Sequence, residues 1–506
     1  MTNNLLFIEE PKLLFGHGQS VEDPRDGLIL FGPLEKGKPY GVHYGIIGTQ
    51  EGIRRFRSWA ERLNQPIHDS KKSIARPPFL GFETIFDTPW SLSPDLELVI
   101  PTEDLFKAIY LDDKYQRVYK TVELYSSRII RAISEEETKV DIWFVIVPDE
   151  VHKYCRPKSI IDVTKLMQAD TKMDPKYARS LRTQPSLLFQ DDNINAIPYQ
   201  YEVNFHNQLK ARLLDKLVLT QIVRESTIAP GELLDRFGRP ARGMDKLQAS
   251  AAWNICTAVF YKIGGRPWKI SGIREGVCYI GLVFKKTMDS SNADNACCAA
   301  QMFLDSGDGI VFRGDVGPWY NPDKGDYHLK RKAAHELIEI AVNTYKRYFN
   351  KPPDELFIHG KVEFNSEEWQ GFQDAADDKD TNLVGVKIQD SNEIKLFRKS
   401  DHPILRGLAY IRSKRSAYLW TRGYIPRLQT YPGLEVPNPL YIKICRGQAD
   451  IEIVLQDILA LTKLNYNACV YADGVPVTLK FADAVGEILT AGPIKGDVPL
   501  PFRHYI

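Results

Sequence analysis

Cysteine is scarce and unpatterned in this sequence, with seven in 506 residues and no Cys-x-x-Cys pair. Cys297 and Cys298 are adjacent and the others stand singly. That set points to reduced thiols in a cytoplasmic protein rather than a disulfide frame or a zinc site. Long apolar runs are missing too. The best, Ile142–Val147, is strand length, against the roughly 18 residues a membrane helix needs. The start, Met1-Thr2-Asn3-Asn4, has neither the basic charge nor the apolar stretch of a signal peptide. Charge of one sign is also lacking, since 66 Lys and Arg face 65 Asp and Glu. Overall charge therefore announces no polyanion ligand, and any nucleic-acid function must rest on local charge. Internal repeats, a Gly-x-Ser-x-Gly elbow and a phosphate loop ending in Gly-Lys-Ser/Thr are all absent.

What is present is ordinary globular composition, 43% hydrophobic and 26% charged, long enough for two or three cores. Asp141–Pro148 is a continuous apolar run closed by proline, as a strand buried on both faces would be. A helix is expected at Gly52–Leu63, a strand at Ser186–Phe189, and helices from Val203 and over Asp245–Tyr261. This alternation suggests an α/β fold with a Rossmann-like parallel sheet. After Gly264-Gly265-Arg266-Pro267, strands are expected at Val277–Phe284, Ala296–Phe303 and Ile310–Phe312. A helix over Tyr327–Phe349 and a strand at Leu356–His359 would follow. That order suits an RNase H-like layout, with a boundary near residue 262.

Three segments carry candidate chemistry. In Val203–Arg224, His206 and Lys210 stand four apart and share a helix face, both being donors suited to phosphate. Gln208 or Gln221 could add an amide. On a continuous helix Gln221 would lie roughly 16 Å beyond Lys210, so joining them requires a break and a helix start near Gln221. The plain alternative is an amphipathic helix with solvated donors. In Tyr261–Trp268, two glycines and a proline end a helix, with Lys262 in its last turn, where a cation is favoured. In Arg406–Tyr431, Arg406, Arg412, Lys414, Arg415, Arg422 and Arg427 alternate with Tyr410, Tyr418, Trp420, Tyr424 and Tyr431, without any Asp or Glu. Such a segment could meet phosphates and bases, or be a strand pair with core aromatics and a solvated basic face. Asp305-Ser306-Gly307-Asp308-Gly309 lacks calcium-loop spacing and reads as a turn. His152 and Cys155 have no orienting third group.

These residues resemble the short prokaryotic Argonautes, which consist of MID and PIWI domains. The likeness runs from Glu10-Pro11-Lys12-Leu13-Leu14-Phe15-Gly16 through Gly27-Leu28, Gly32-Pro33 and Val147-Pro148. It is most specific at Tyr261–Trp268. It resumes at Pro437-Asn438-Pro439-Leu440, Leu464-Asn465-Tyr466-Asn467, Pro476-Val477-Thr478-Leu479 and the end, His504-Tyr505-Ile506.

The resemblance implies an N-terminal segment plus MID domain over 1–262 and an RNase H-like PIWI domain over 263–506. It implies that His206, Lys210, Gln221 and Lys262 hold a guide 5′-phosphate, with a magnesium ion between guide phosphates and the C-terminal carboxylate of Ile506. Of the acidic tetrad of slicing relatives, Val283 takes the first place, Gly360 (or Lys361) a later one, and only Asp483 keeps a carboxylate. No Glu occurs from Thr287 to His335. The expectation is a guide-directed sensor without an active site of its own. It would load a guide, RNA by kinship, and pair it with single-stranded target DNA along Arg412, Lys414, Arg415 and Arg422. It would then activate an APAZ-containing effector, TIR-APAZ being favoured, in defence against plasmids or phage, with target-induced assembly of the pair. NAD would be hydrolysed by the effector, since this chain carries no NAD fingerprint. The rival expectations are a metal-dependent nuclease using Asp483 with Asp305, Asp308 or Asp315, and a scaffold that carries no guide.

Overall fold

A computed structural model describes residues 4–71, 73–272, 274–286, 295–303, 309–318, 320–321, 326–377, 380–431, 433–493 and 500–506, and only the backbone of 286, 295–301, 303, 309, 312–318 and 320–321. The chain opens on strand β1 (Leu5–Phe7), followed by β2 (Leu13–Leu14) and β3 (Ser20–Val21). A parallel sheet comes next, from β4 (Tyr44–Gly48), β5 (Leu96–Val99), β6 (Ile142–Val147) and β7 (Thr220–Arg224), in the order β5-β4-β6-β7. Every residue of β4 and β6 is buried, as an apolar run sandwiched between helices must be. Helices α1 (Gln50–Arg62), α2 (Lys114–Glu135), α3 (Asp149–Tyr154), α4 (Phe205–Leu214) and α5 (Gln248–Lys262) belong to this half. The Thr49 hydroxyl caps α1 by accepting from Gly52 N–H, and Asn204 caps α4 in the same way.

After α5, β8 (Lys269–Ile270) pairs back onto β2, so the first residues clasp the junction. A ten-stranded sheet is then built from β9 (Val277–Lys286), β10 (Asn295–Phe303) and β11 (Gly309–Pro318). The small pair β12 (Tyr320–Asn321) and β13 (Asp326–Tyr327) and helix α6 (Arg331–Phe349) lead to β14 (Glu355–Gly360) and β15 (Asn382–Asp390). A hairpin β16 (Leu408–Ser413) and β17 (Ser416–Leu419), then β18 (Leu440–Arg446) and β19 (Leu500–Pro501), complete it. Antiparallel β9-β10-β11, a helix, and β14 parallel to β9 make the RNase H-like arrangement. Helices α7 (Ile451–Leu461) and α8 (Val477–Leu489) cover it.

The sheet order begins with β1, which pairs antiparallel with β16. A Cβ at Gly407 would fall 2.4 Å from the Ile8 carbonyl oxygen, and φ there is +89°, so glycine is what lets β1 lie this close. Beyond β1, Glu10 is clamped by Arg406 at 2.9 Å and by Lys463 at 2.7 Å. Burial alone would raise the Glu10 carboxyl, but the two cations overcome it and hold the pKa below its usual value.

The structure corrects several sequence expectations. Ser186–Phe189 is no strand: Leu187 and Leu188 are 91% and 89% exposed, and no neighbouring strand pairs with them. The helix expected from Asp245 begins at Gln248, after a 3-10 turn over Gly243–Lys246.

Candidate functional site

Helix α4 packs its apolar face inward and so carries Lys210 into the protein, where its side chain is buried, while His206 one turn earlier reaches the surface. The break that would bring Gln221 near exists, because α4 ends at Leu214. Gln221 arrives on strand β7, not at a helix start. A parallel strand beside β6 supplies the direction change that a second helix would have needed.

The result is a cluster at the first residue of β7. The Lys210 ammonium donates to the Thr220 carbonyl at 2.9 Å and to an oxygen of Ile506. Lys262, at the end of α5, donates to the same Thr220 carbonyl at 3.0 Å and to Gln221 Oε1 at 2.8 Å. His206 Nδ1 lies 3.1 Å from Asn207 Oδ1. Thus His206, Lys210, Gln221, Lys262 and Ile506 come together from four parts of the chain.

Burial depresses Lys210 to about 7. Lys262 is pushed well down by burial and by the charge of Lys210. Residues that sequence reasoning missed complete the cluster. Thr220 Oγ1, Arg503 Nε and His504 Nδ1 are buried without hydrogen-bond partners. His504 is lowered to about 4 by burial, by Arg503 and by Lys210. A late, apolar-ended tail gave no local signal that it would fold back onto α4.

Next to this cluster a cavity of about 620 Å³ opens at the carboxyl ends of β6 and β7, the usual ligand position in a parallel sheet. His152, Arg156, Asn204, His206 and Arg224 line it beside apolar walls. Cys155 lies there too, but burial raises its thiol to about 12, which makes it a poor nucleophile.

The second site lies on the ten-stranded sheet. Val283, Gly360 and Asp483 converge on one small pocket of about 200 Å³. Gly281 shows why a glycine precedes Val283, for a Cβ there would sit 1.9 Å from the Thr478 carbonyl oxygen of α8. Asp483 on α8 is engaged by two ammoniums, Lys285 at 3.2 Å and Lys361. Among the described residues, no group of three or more His, Cys, Asp or Glu is arranged to hold a metal ion. Asp305 and Asp308 lie outside the described residues, as does the side chain of Asp315.

From Lys361 a row of cations crosses the strand ends. Gly360 pairs with Lys387, Lys387 with Lys443, and Lys443 with Ser416, so one register line joins four strands. The hairpin tip extends it: Arg412, Lys414 and Arg415 are exposed, and Arg415 donates to the Ile444 carbonyl at 2.9 Å. Glu363 offsets part of this charge, at 2.8 Å from Lys443. Arg422 is exposed elsewhere, against Gly474. The aromatic half of the expected interface is corrected. Tyr418 and Trp420 are core residues at 2% and 0% exposure, and Tyr424 stacks on His402 at 4.3 Å. Tyr418 and Trp420 pack with Ile404 into a small core under the hairpin, so these two rings are not offered to a nucleic acid. Arg406 is likewise structural, buried on Glu10.

No family model matches the chain. It is 20% identical over 346 residues to Protein argonaute of Aquifex aeolicus, spanning 67% of this chain and 44% of that one. A solved Clostridium butyricum Argonaute, bound to a guide DNA and a 19-mer target DNA, superposes with a TM-score of 0.64 at 15% identity, over 98% of this chain and 55% of that one. The crystal structure of Drosophila Piwi superposes at 0.56 and 14% identity, over 99% and 56%. In sequence and in fold, the chain is similar to Argonautes.

The chain spans about half the length of the proteins it matches. The superpositions cover nearly the whole chain, both sheets included. No described helix is long and apolar enough to cross a membrane.

Proposed function

We propose that this protein is a guide-loading sensor that reports target recognition to a partner instead of cutting the target itself. The observation carrying the first half is the pair of buried ammoniums, Lys210 and Lys262, gathered on the Thr220 carbonyl with Gln221 and the last residue, Ile506, as their other acceptors. Two buried cations side by side are costly, and a further anion between them lowers that cost. A guide 5′-phosphate supplies two negative charges and several acceptors. His206, Gln221, Thr220 and His504 are at hand to orient it, and the neighbouring cavity takes the first nucleoside. A magnesium ion would draw on the C-terminal oxygens of Ile506 and add positive charge against the phosphates. The cationic row from Lys361 to Arg412, Lys414 and Arg415, with Arg422 apart from it, supports backbone contacts to a guide–target duplex.

The absence of slicing is supported by Val283 and Gly360 standing where carboxylates would be needed, and by the two lysines on Asp483. A two-metal site requires several anionic oxygens around the ions. Output then falls to a partner, an APAZ-containing effector of which the NAD-hydrolysing TIR type is favoured, with assembly of the pair on target binding. Guide RNA and single-stranded DNA target are the favoured nucleic acids, and the setting is defence against invading DNA.

Sequencing the short nucleic acid that copurifies with the chain tests loading. A defined guide population with 5′-phosphates is expected, and its absence would favour a guide-free scaffold. Incubation with guide, target and manganese is expected to leave the target intact. Specific cleavage that disappears in Asp483→Ala would establish the nuclease reading instead.

The pocket also predicts a pH dependence. Free Lys210 loses its proton near pH 7, whereas phosphate favours the charged form, so binding takes up a proton above that pH. Affinity for a 5′-phosphorylated guide is expected to fall by up to about tenfold per unit from pH 7.5 to 9, with a 5′-hydroxyl guide nearly flat. Stability of the empty protein should move the other way. The unfolded lysine, at 10.5, holds more protons than the folded one between about 7 and 10.5, so this residue's contribution to stability rises with pH there. Parallel titrations of binding and of urea midpoints check both signs.

A further inference from the structure

The ten-stranded sheet ends on β1, whose outer edge is unpaired among the described residues. Ile411 N–H donates to the Asn4 carbonyl at 2.8 Å, and Ile8 N–H donates to the Gly407 carbonyl at 2.9 Å. In an antiparallel ladder the residues alternate, so Leu5 and Phe7 turn their N–H and C=O groups outward. Their side chains are 45% and 51% exposed. An edge of free backbone groups beside apolar side chains is a template for another strand.

A groove of about 600 Å³ runs beside this edge, between Leu6–Pro11 and helix α7. Phe7 and Ile453, the latter 37% exposed, give it an apolar stripe. Its rim is acidic. Glu9 and Glu452 are exposed there and enter no ion pair among the described residues, whereas the groove's one arginine, Arg274, is already bonded to Asp457 at 2.7 Å and to Glu355.

We propose that the open edge of β1 is the docking site for an extended segment of a different protein, which adds as an eleventh strand and alternates apolar with basic residues. Its backbone pairs with Leu5 and Phe7, its apolar side chains cover Phe7 and Ile453, and its lysines or arginines meet Glu9 and Glu452. A second copy of this chain fits poorly, because it would bring the same acidic rim against this one. The surface uses none of the guide-pocket residues, so the two readings fail separately.

Random peptides displayed on phage, selected against the full-length chain and then synthesised, provide the probe. The selected sequences are expected to alternate apolar residues with Lys or Arg, and to slow hydrogen exchange at the amides of Leu5 and Phe7. Leu5→Pro removes one outward donor and no bond to β16, so it should keep the wild-type melting temperature and weaken these peptides about tenfold. Glu9→Gln with Glu452→Gln should weaken them comparably and make binding insensitive to salt. The proposal is overturned if no peptide is selected, or if those selected leave both amides exchanging freely. It is equally overturned if they bind Leu5→Pro unchanged, or if the chain alone forms dimers that Phe7→Lys disperses.

Discussion

A 5′-phosphorylated guide is expected to bind on the order of 10²- to 10⁴-fold more weakly once Lys210 and Lys262 are both replaced by methionine. The magnitude follows from two charge-assisted hydrogen bonds to phosphate, each about 1.5–3 kcal/mol, at roughly 1.4 kcal/mol per tenfold. Methionine keeps the length of the side chain and removes a buried charge, so the empty protein should unfold at the same urea concentration or a higher one. The two lysines share one acceptor, the Thr220 carbonyl, and Lys210 lowers Lys262. Their single substitutions are therefore expected to be non-additive, with the second costing less than the first. Binding titrations with paired 5′-phosphate and 5′-hydroxyl guides decide the matter. An equal loss for both guides would mean that the cluster supports the fold and does not read the phosphate.

Trp268→Ala is expected to be the most damaging single change at the junction of the two halves. The indole is fully buried, its Nε1 donates to the Lys463 carbonyl at 3.2 Å, and its own carbonyl accepts from the Tyr466 hydroxyl at 2.8 Å. Phe15 and Tyr466 pack within 6.3 and 5.5 Å of it, so one ring ties the first residues to the end of α7. Truncation removes a large apolar surface and leaves a cavity, which costs about 3–5 kcal/mol. Against a typical total of roughly 5–15 kcal/mol, that is enough to populate partly unfolded chain at ordinary temperatures. Denaturation followed separately by tryptophan fluorescence and far-UV dichroism should show the transition move to lower urea. A midpoint within error of wild type would show that the junction holds without this ring.

Much of this architecture could be read from local pattern, and the failures share a cause. Periodicity placed β6 and the two lysine-bearing helices, because burial on both faces and a four-residue spacing leave local marks. The need for a break before Gln221 was likewise visible from helix rise alone. Partners distant in sequence were not legible. Nothing near Thr220 or His504 announces that they meet Lys210, and nothing near Asp483 announces Lys285 and Lys361. Trp420 and Tyr418 misled because aromatic–basic alternation is the same whether rings face a base or the core. Only the pairing of the hairpin with β18 decides which way they point.

The position of β1 has a further consequence, for the time course of synthesis. Leu5 is made about 400 residues before its partner Tyr410, an interval on the order of 20–80 s at roughly 5–20 residues per second. Throughout that interval Leu5-Leu6-Phe7 has no β16 to pair with, and Glu10 lacks both Arg406 and Lys463. The ribosome thus releases this strand long before its receptor, so the nascent chain is open there to capture by a chaperone or by another protein's strand until β16 appears.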